Sequence, residues 1–402
     1  MTEIEFSIIT DDEDDLDGLR TLLQPFERSE RIKVHLTSIG WETAWSTLLV
    51  NALHSKGPHV SHVGSTWSNT LGSMEALRPF TASDLAKIGA PDVFMPLSWQ
   101  SVMHTGGERV WATPWTAYTF ILIYRRDLLE KAGLAESTAF ATPSALQHTL
   151  ARLQNNGAKI PWGFPTPKSN PDLIHIAANW LWAAGGEFVS PDGKQALFAQ
   201  PEALRGFHSF FELFRYIPAS IRGFDYDQCT ELFAHGDSAA MILGADDAIS
   251  LWKDAETEGV VRENLAAAAL PGIPWVGGDN LVIWKHALGM SGSAALSLVK
   301  YLTTCETQLQ FAHLHYSLPV RLDALETFLD DLPPFSQVIQ ETFARGRVHA
   351  SVRLWSRIEH QLGVVLNQIA AQVVADPTGD IDQIIRARLE PLAGQMNMLL
   401  KN

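Results

Sequence analysis

Two cysteines in 402 residues, Cys229 and Cys305, are too few to staple a fold. Parity allows a disulfide between them, but buried free thiols fit this composition better. Long apolar runs are absent as well. The longest, such as Phe120-Ile121-Leu122-Ile123-Tyr124, have the length of a strand and fall far short of the ~20 residues a membrane helix needs. Basic residues are scarce, with 30 Lys plus Arg against 45 Asp plus Glu, a net charge of −15. So acidic a chain repels phosphate backbones, which excludes nucleic acid as a partner. The opening Met1 to Thr10 has no basic stretch followed by an apolar one, so the sequence as given carries no secretory leader. On that reading the protein is either a processed form or works inside the cell. There is no internal repeat, no low-complexity segment and no linker rich in Pro, Gly or Ser.

What is abundant is apolar and aromatic material. Apolar residues make up 46%, with 13 Trp and 19 Phe, enough to fill a large core and to exclude long disorder. The length predicts two to three packed units. Strand and helix signals alternate, which predicts α/β layers. Glu5 to Ile9 reads as a strand, Leu16 to Glu27 as a helix and Ile32 to Leu36 as a second strand. Trp41 to Leu53 reads as a helix and His59 to Gly64 as a third strand, a β-α-β-α-β opening of doubly wound type. The acids Asp11 to Asp15 belong at a helix N-terminus, where they offset its dipole. Helices are predicted around 143–156, 172–185, 201–216 and 227–235, then a strand over Gly236 to Leu243. The last hundred residues read as helical around 292–303, 306–312, 335–345, 352–375 and 380–400. Two lobes joined by several short crossings fit this punctuation better than two beads on a string.

Catalytic signatures are missing. There is no His-Glu-x-x-His, no Gly-x-Ser-x-Gly and no phosphate-binding Gly-x-x-x-x-Gly-Lys-Ser/Thr. Gly289-Met290-Ser291-Gly292-Ser293 lacks the last glycine of a nucleophile elbow and reads as a loop before a helix. His59 and His62 are spaced three apart, which in a strand points them to opposite faces. His313 and His315 lie at a predicted helix end. No metal site, cofactor or catalytic residue is expected, although counting carboxylates does not by itself exclude a glycosidase pair.

Several segments together resemble the family 1 solute-binding proteins of ABC importers, the group that includes maltose-binding protein. They are Phe6 to Leu23, Gly57-Pro58-His59-Val60 with Gly64-Ser65-Thr66-Trp67, Ala112-Thr113-Pro114-Trp115 and Ile121 to Leu129. Phe233 to Met241, Leu270-Pro271-Gly272 with Trp275 to Leu281, and Tyr301 to Arg321 complete the set, in order across roughly residues 5 to 395. Three departures stand out: His59 where the family has Asp, Arg125 where it has Asn, and Gly244-Ala245-Asp246-Asp247 where many members carry an aromatic turn.

The resemblance implies a two-lobed periplasmic-binding-protein fold, each lobe a doubly wound mixed sheet flanked by helices, joined by several hinge crossings. Residues 1–115 with about 277–318 would form the N-terminal lobe, and about 116–276 with 319–402 the C-terminal lobe and closing helices. It further implies non-catalytic capture of a small solute, first of all a carbohydrate, for the permease of an ABC importer. The protein would be a monomer and periplasmic or extracellular. The alternatives are a leaderless cytoplasmic sugar sensor, a receptor for a non-sugar such as a polyamine and, more distantly, an enzyme on this fold.

A sugar needs rings against its flat faces and paired hydrogen bonds along its rim. By family position the stacking candidates are Trp67, Trp115 with Tyr118, Trp275 and Trp355, while Trp41 could reach the site from its helix start. The polar candidates are Asp11 or Asp12, Ser65 and Asn69, Asp246 and Asp247, Asp279 and Asn280, and Arg353. Gly277 and Gly278 would admit backbone to the ligand or simply form a turn. If Asp246 and Asp247 face the solute, the site is acidic and its ligand polyhydroxylated or amino-bearing rather than anionic.

Overall fold

The computed structural model describes residues 2–103, 109–352 and 354–400. The chain forms two compact units of the expected α/β class, each assembled from separated stretches. The first comprises Met1–Tyr118, Val276–Asp331 and Ser351–Ser356; the second comprises Thr119–Trp275, Leu332–Ala350 and Arg357–Asn402.

In the first unit the strand Thr2–Ile9 starts with strict alternation: Ile4 and Phe6 turn inward while Glu3 and Glu5 turn out. It lies parallel to the strand Ile32–Ile39 along its whole length, Thr2 opposite Ile32 and Ile9 opposite Ile39. On its other side Phe6 pairs in parallel with Val60 of the strand Val60–Gly64. That strand runs antiparallel to Val276–Ile283, which places Gly64 opposite Asp279. The helix Glu13–Glu30 returns the chain between the first two strands, with Leu16, Leu19, Leu22, Leu23 and Phe26 buried at spacings of three and four. The helix Trp41–His54 makes the next crossover and buries Ala44 and Leu48. Because the first three strands are parallel, their carboxyl ends share one edge. The loops after Ile9, Ile39 and Gly64 therefore emerge side by side, the place where open α/β sheets carry their sites.

In the second unit the residues from Phe120 to Arg125 are flanked antiparallel on one side by Ala240–Gly244 and on the other by Leu265–Ala269. All of Phe120 to Arg125 are buried, as a strand covered on both faces requires. The helices Leu173–Ala183, Pro201–Phe211 and Ile381–Leu400 pack in succession. Gly206 permits the first contact, because a methyl group there would meet the backbone of Leu181 and the carbonyl of Trp180. An aromatic cluster fills the space beneath, with Phe210 5.1 Å from Trp180 and 5.4 Å from Phe214, and Phe164 5.1 Å from Phe214.

Some local expectations need correction. Gly289-Met290-Ser291-Gly292-Ser293 is no loop but the first turn of the helix Gly289–Leu302, after Leu288. The strand expected from Gly236 begins only at Ala240, because Gly236 and Asp237 complete the turn that ends the helix Tyr226–Ala234. Short helices at Ser68–Ser73, Ala82–Ile88 and Pro96–Val102 carry too few apolar repeats to be read in advance, whereas Leu322–Asp330 went unread although it buries Ala324, Leu325, Phe328 and Leu329 on one face. Both cysteines are free, Cys229 buried as expected but Cys305 only partly so.

Candidate functional site

The shared strand edge of the first unit carries an aromatic group. Trp41, the first residue of its helix, is 48% exposed. Its ring stands edge-on to Trp67, centroids 6.1 Å apart, and Trp67 in turn lies 5.5 Å from Trp45. Trp67 and Trp45 are half-buried. The carboxylate of Asp11 accepts the backbone N–H of Trp41 at 3.3 Å, tying the loop after the first strand to the helix after the second. Asp12 is exposed beside it. Beneath the rings His62 accepts the backbone N–H of Ile9 through Nδ1, and its Nε2 lies 3.2 Å from Asp279 Oδ2 without hydrogen-bond geometry. Asp279 accepts from Thr116 Oγ1 at 3.0 Å. The sequence reading missed His62 and Trp45. The first was weighed only for a metal.

Other expected residues of this unit are placed differently. Trp115 is 1% exposed and packs among Phe6, His62 and Phe311. Trp355 is 2% exposed at the start of the helix Trp355–Ala375. The physical reason for Trp115 is the strand Ala112–Arg125, which turns neither face to water at that point. Tyr118 is half-buried. Ser65 donates its backbone N–H to the carbonyl of Gly278. Asn69 is buried and donates to the Ser101 carbonyl and to Ser351 Oγ, while Asn280 donates to Ser68 Oγ at 3.2 Å. Gly277 and Gly278 lie inside the strand Val276–Ile283. Gly278 has φ +130°, and a Cβ there would strike the backbone of Thr116 and Ala117, so neighbouring chain explains this glycine. Arg353 lies outside the described residues.

In the second unit Asp246 and Asp247 occupy the first turn of the helix Ala245–Lys253, with Asp247 exposed and Asp246 half-buried. Two further helix starts lie near enough for their charges to act on one another. Asp172 precedes Leu173–Ala183, and Tyr226 with Asp227 opens Tyr226–Ala234. Loss of water, and then the Asp247 charge, push the Asp172 carboxyl up to about 7. Asp247 rises to about 6 through loss of water and then the charge of Asp227. The Tyr226 hydroxyl is pushed well upward by loss of water and then by Asp172. Asn170, 2% exposed, accepts the Asp172 N–H through Oδ1 at 3.0 Å and is itself held by Asn367, which accepts its backbone N–H at 2.7 Å. Asn170, Asp172 and Tyr226 were not singled out in the sequence.

Trp275 is enclosed in this unit. It stacks on His175, centroids 4.2 Å apart and planes 15° from parallel, and its backbone N–H donates to Asn179 Oδ1 at 3.1 Å. The His175 Nδ1 and His349 Nε2 atoms share a hydrogen bond of 2.9 Å. Burial pushes His175 down to about 3 and His349 well below its ordinary value, so the pair stays neutral at ordinary pH. Among the described residues no group of three or more His, Cys, Asp or Glu is placed to hold a metal ion, and no helix is long and apolar enough to cross a membrane.

Residues 21–337 match the family model for bacterial extracellular solute-binding proteins. No curated protein sequence matches the chain. Among solved structures, it is similar to an ABC transporter solute-binding protein from Thermotoga lettingae bound with α-D-tagatose. That pair shares 19% identity at a TM-score of 0.80, covering 100% of both chains. The sugar-binding protein MalE of Xanthomonas citri is 18% identical at a TM-score of 0.81, over 99% of this chain and 97% of that one. The GacH receptor of Streptomyces glaucescens, solved unliganded and with acarbose, is 17% identical at 0.79, over 100% and 99%.

Proposed function

Because the chain belongs to the bacterial extracellular solute-binding protein family, we propose that it captures a carbohydrate and hands it, unaltered, to the permease of an ABC importer. The observation that carries this reading is the aromatic group at the carboxyl edge of the first unit's parallel strands. Trp41 offers an exposed ring, Trp67 and Trp45 back it, and Asp11 stands beside it as an acceptor. Rings for C–H faces and carboxylates for hydroxyls are what a sugar needs. Tagatose and acarbose in the structures of like fold support the same class of cargo. We assign Asp11, Asp12, Trp41 and Trp67 of the first unit to contact with the solute. Trp115, Trp275 and Trp355 serve to hold their surroundings.

The protein acts as a receptor and not as a catalyst. It works outside the cytoplasmic membrane, as a monomer kept apart from its neighbours by its net charge of −15. A thermal-shift screen against mono- and oligosaccharides, polyols, amino sugars and polyamines tests the reading. A ligand at 100 times its dissociation constant adds ~2.7 kcal/mol and raises the melting temperature by a few degrees. A shift with one sugar class, with the sugar recovered intact, is the expected result. Turnover of the bound sugar, or a shift with non-sugars alone, would overturn it.

A further inference from the structure

Several acids of the second unit have a cation beside them. Asp237 meets Lys159, Glu136 meets Arg126, Glu202 meets Arg205, and Glu187 holds Arg347 at two points. The carboxylates at the three helix starts differ. Among the described residues, none of Asp172, Asp227 and Asp247 has a Lys, Arg or His within ion-pair distance. The positive ends of three helices offset part of this charge, about half a unit each, which leaves the cluster net negative.

A second observation is independent of the charges. Asn170 is 2% exposed, yet among the described residues its Nδ2 has no hydrogen-bond partner, and neither has the Tyr226 hydroxyl. The Asn170 side chain bears on that hydroxyl without reaching hydrogen-bond geometry. A buried donor left unmade is costly, and such groups in a native fold mark a place where something else binds. The cluster therefore combines surplus negative charge with polar atoms that lack partners.

We propose that Asp172 and Asp247, with Asn170 and Tyr226 beside them, receive a protonated amine of the solute, so that the cargo is an amine-bearing carbohydrate. This rests on the carbohydrate-receptor reading and narrows it. A neutral hydroxyl would fill one hydrogen bond and leave the charge uncompensated. An anion would be repelled, and a bare metal ion lacks a set of ligands here. An ammonium group donates up to three hydrogen bonds and supplies the missing charge. A hydroxyl next to it on the sugar ring can accept from Asn170 Nδ2.

Titration calorimetry of the full chain near pH 7 with matched sets of sugars tests this. One set is glucose, glucosamine and N-acetylglucosamine; another is galactose and its two counterparts; a third is cellobiose, chitosan dimer and di-N-acetylchitobiose. Spermidine is included as an amine without a sugar. The free-amine member should bind at least tenfold more tightly than its hydroxyl and N-acetyl counterparts. Asp247→Asn, an exposed and unpaired position, should erase most of that preference with an unchanged circular dichroism spectrum, and Asp172→Asn should do the same. Equal or tighter binding of the neutral members, or a preference untouched by both variants, would overturn the proposal and leave the receptor reading standing. Binding of spermidine alone would overturn the carbohydrate reading and this proposal with it.

Discussion

Exposure separates tryptophans that look alike in the sequence. Trp41 is 48% exposed, whereas Trp115 is 1% exposed. Trp41→Ala should weaken sugar binding about two- to tenfold, on the ~0.5–1.5 kcal/mol an aromatic contact contributes beyond its area, and leave the urea midpoint in place. Trp115→Ala should instead cost about 3–5 kcal/mol of stability by opening a core cavity. Calorimetry and urea denaturation on both variants check the contrast, and a large affinity loss with normal stability in Trp115→Ala would reverse the assignment. Asp172 gives a pH dependence of definite sign. Its carboxyl titrates at 3.8 ordinarily and at about 7 in the folded chain, so between those values the folded state holds a proton the unfolded state has lost. Stability from this group is therefore lost as pH rises from about 4 to about 7. Asp172→Asn should flatten that part of the pH profile of the urea midpoint. A profile of unchanged slope would show that Asp172 ionises freely.

At the scale of elements, the same sequence features that were easy to read also explain what was not. The opening strands and helices were legible because their apolar periods are clean: Ile4 and Phe6 alternate with Glu3 and Glu5, and Leu16, Leu19, Leu23 and Phe26 repeat at three and four. Parallel pairing then brings Asp11, Trp41 and Trp67 to one edge, so this part of the candidate site could be assembled from topology alone. The strand Ala112–Arg125 is apolar on both faces and has no alternation to say which way Trp115 turns. Asn170 and Asp172 lie just before a helix and carry no signal of their own in the sequence, because the groups whose charges act on Asp172 and on Tyr226, Asp247 among them, are distant along the chain. Helix packing was equally hidden. Gly206 in the middle of Pro201–Phe211 looks like a defect costing ~1 kcal/mol of helix propensity. Its Cβ-less face, however, lies against the Leu181 backbone. Gly206→Ala gains that propensity but forces two helices apart, and the net should be a loss of about 1–2 kcal/mol. Thermal melts would show it, and a stabilised variant would mean the contact is looser than the geometry indicates.

The whole molecule is not divisible in the way its length suggests. Each unit is assembled from three stretches, and the second takes its last two helical stretches from beyond residue 356. Those helices bury Leu362, Leu366, Ile369, Val373, Ile385, Leu389 and Met396, and Ile381–Leu400 packs on Pro201–Phe211. The continuous segment 119–275 contains the three strands and the helix starts that carry Asp172, Tyr226 and Asp247, but not the helices that cover its apolar surface. At ~25 cal/mol per Å2, leaving several large side chains open removes more than the roughly 5–15 kcal/mol margin by which a domain stays folded. Expressed alone, that segment should keep helical far-ultraviolet dichroism yet lose near-ultraviolet signal from its buried tryptophans, bind a hydrophobic dye and associate. Adding residues 332–402 through a flexible linker should restore the near-ultraviolet signal. If the bare segment instead melts cooperatively and shows dispersed amide resonances, the helices beyond residue 356 are accessories and the second unit folds from its middle stretch alone.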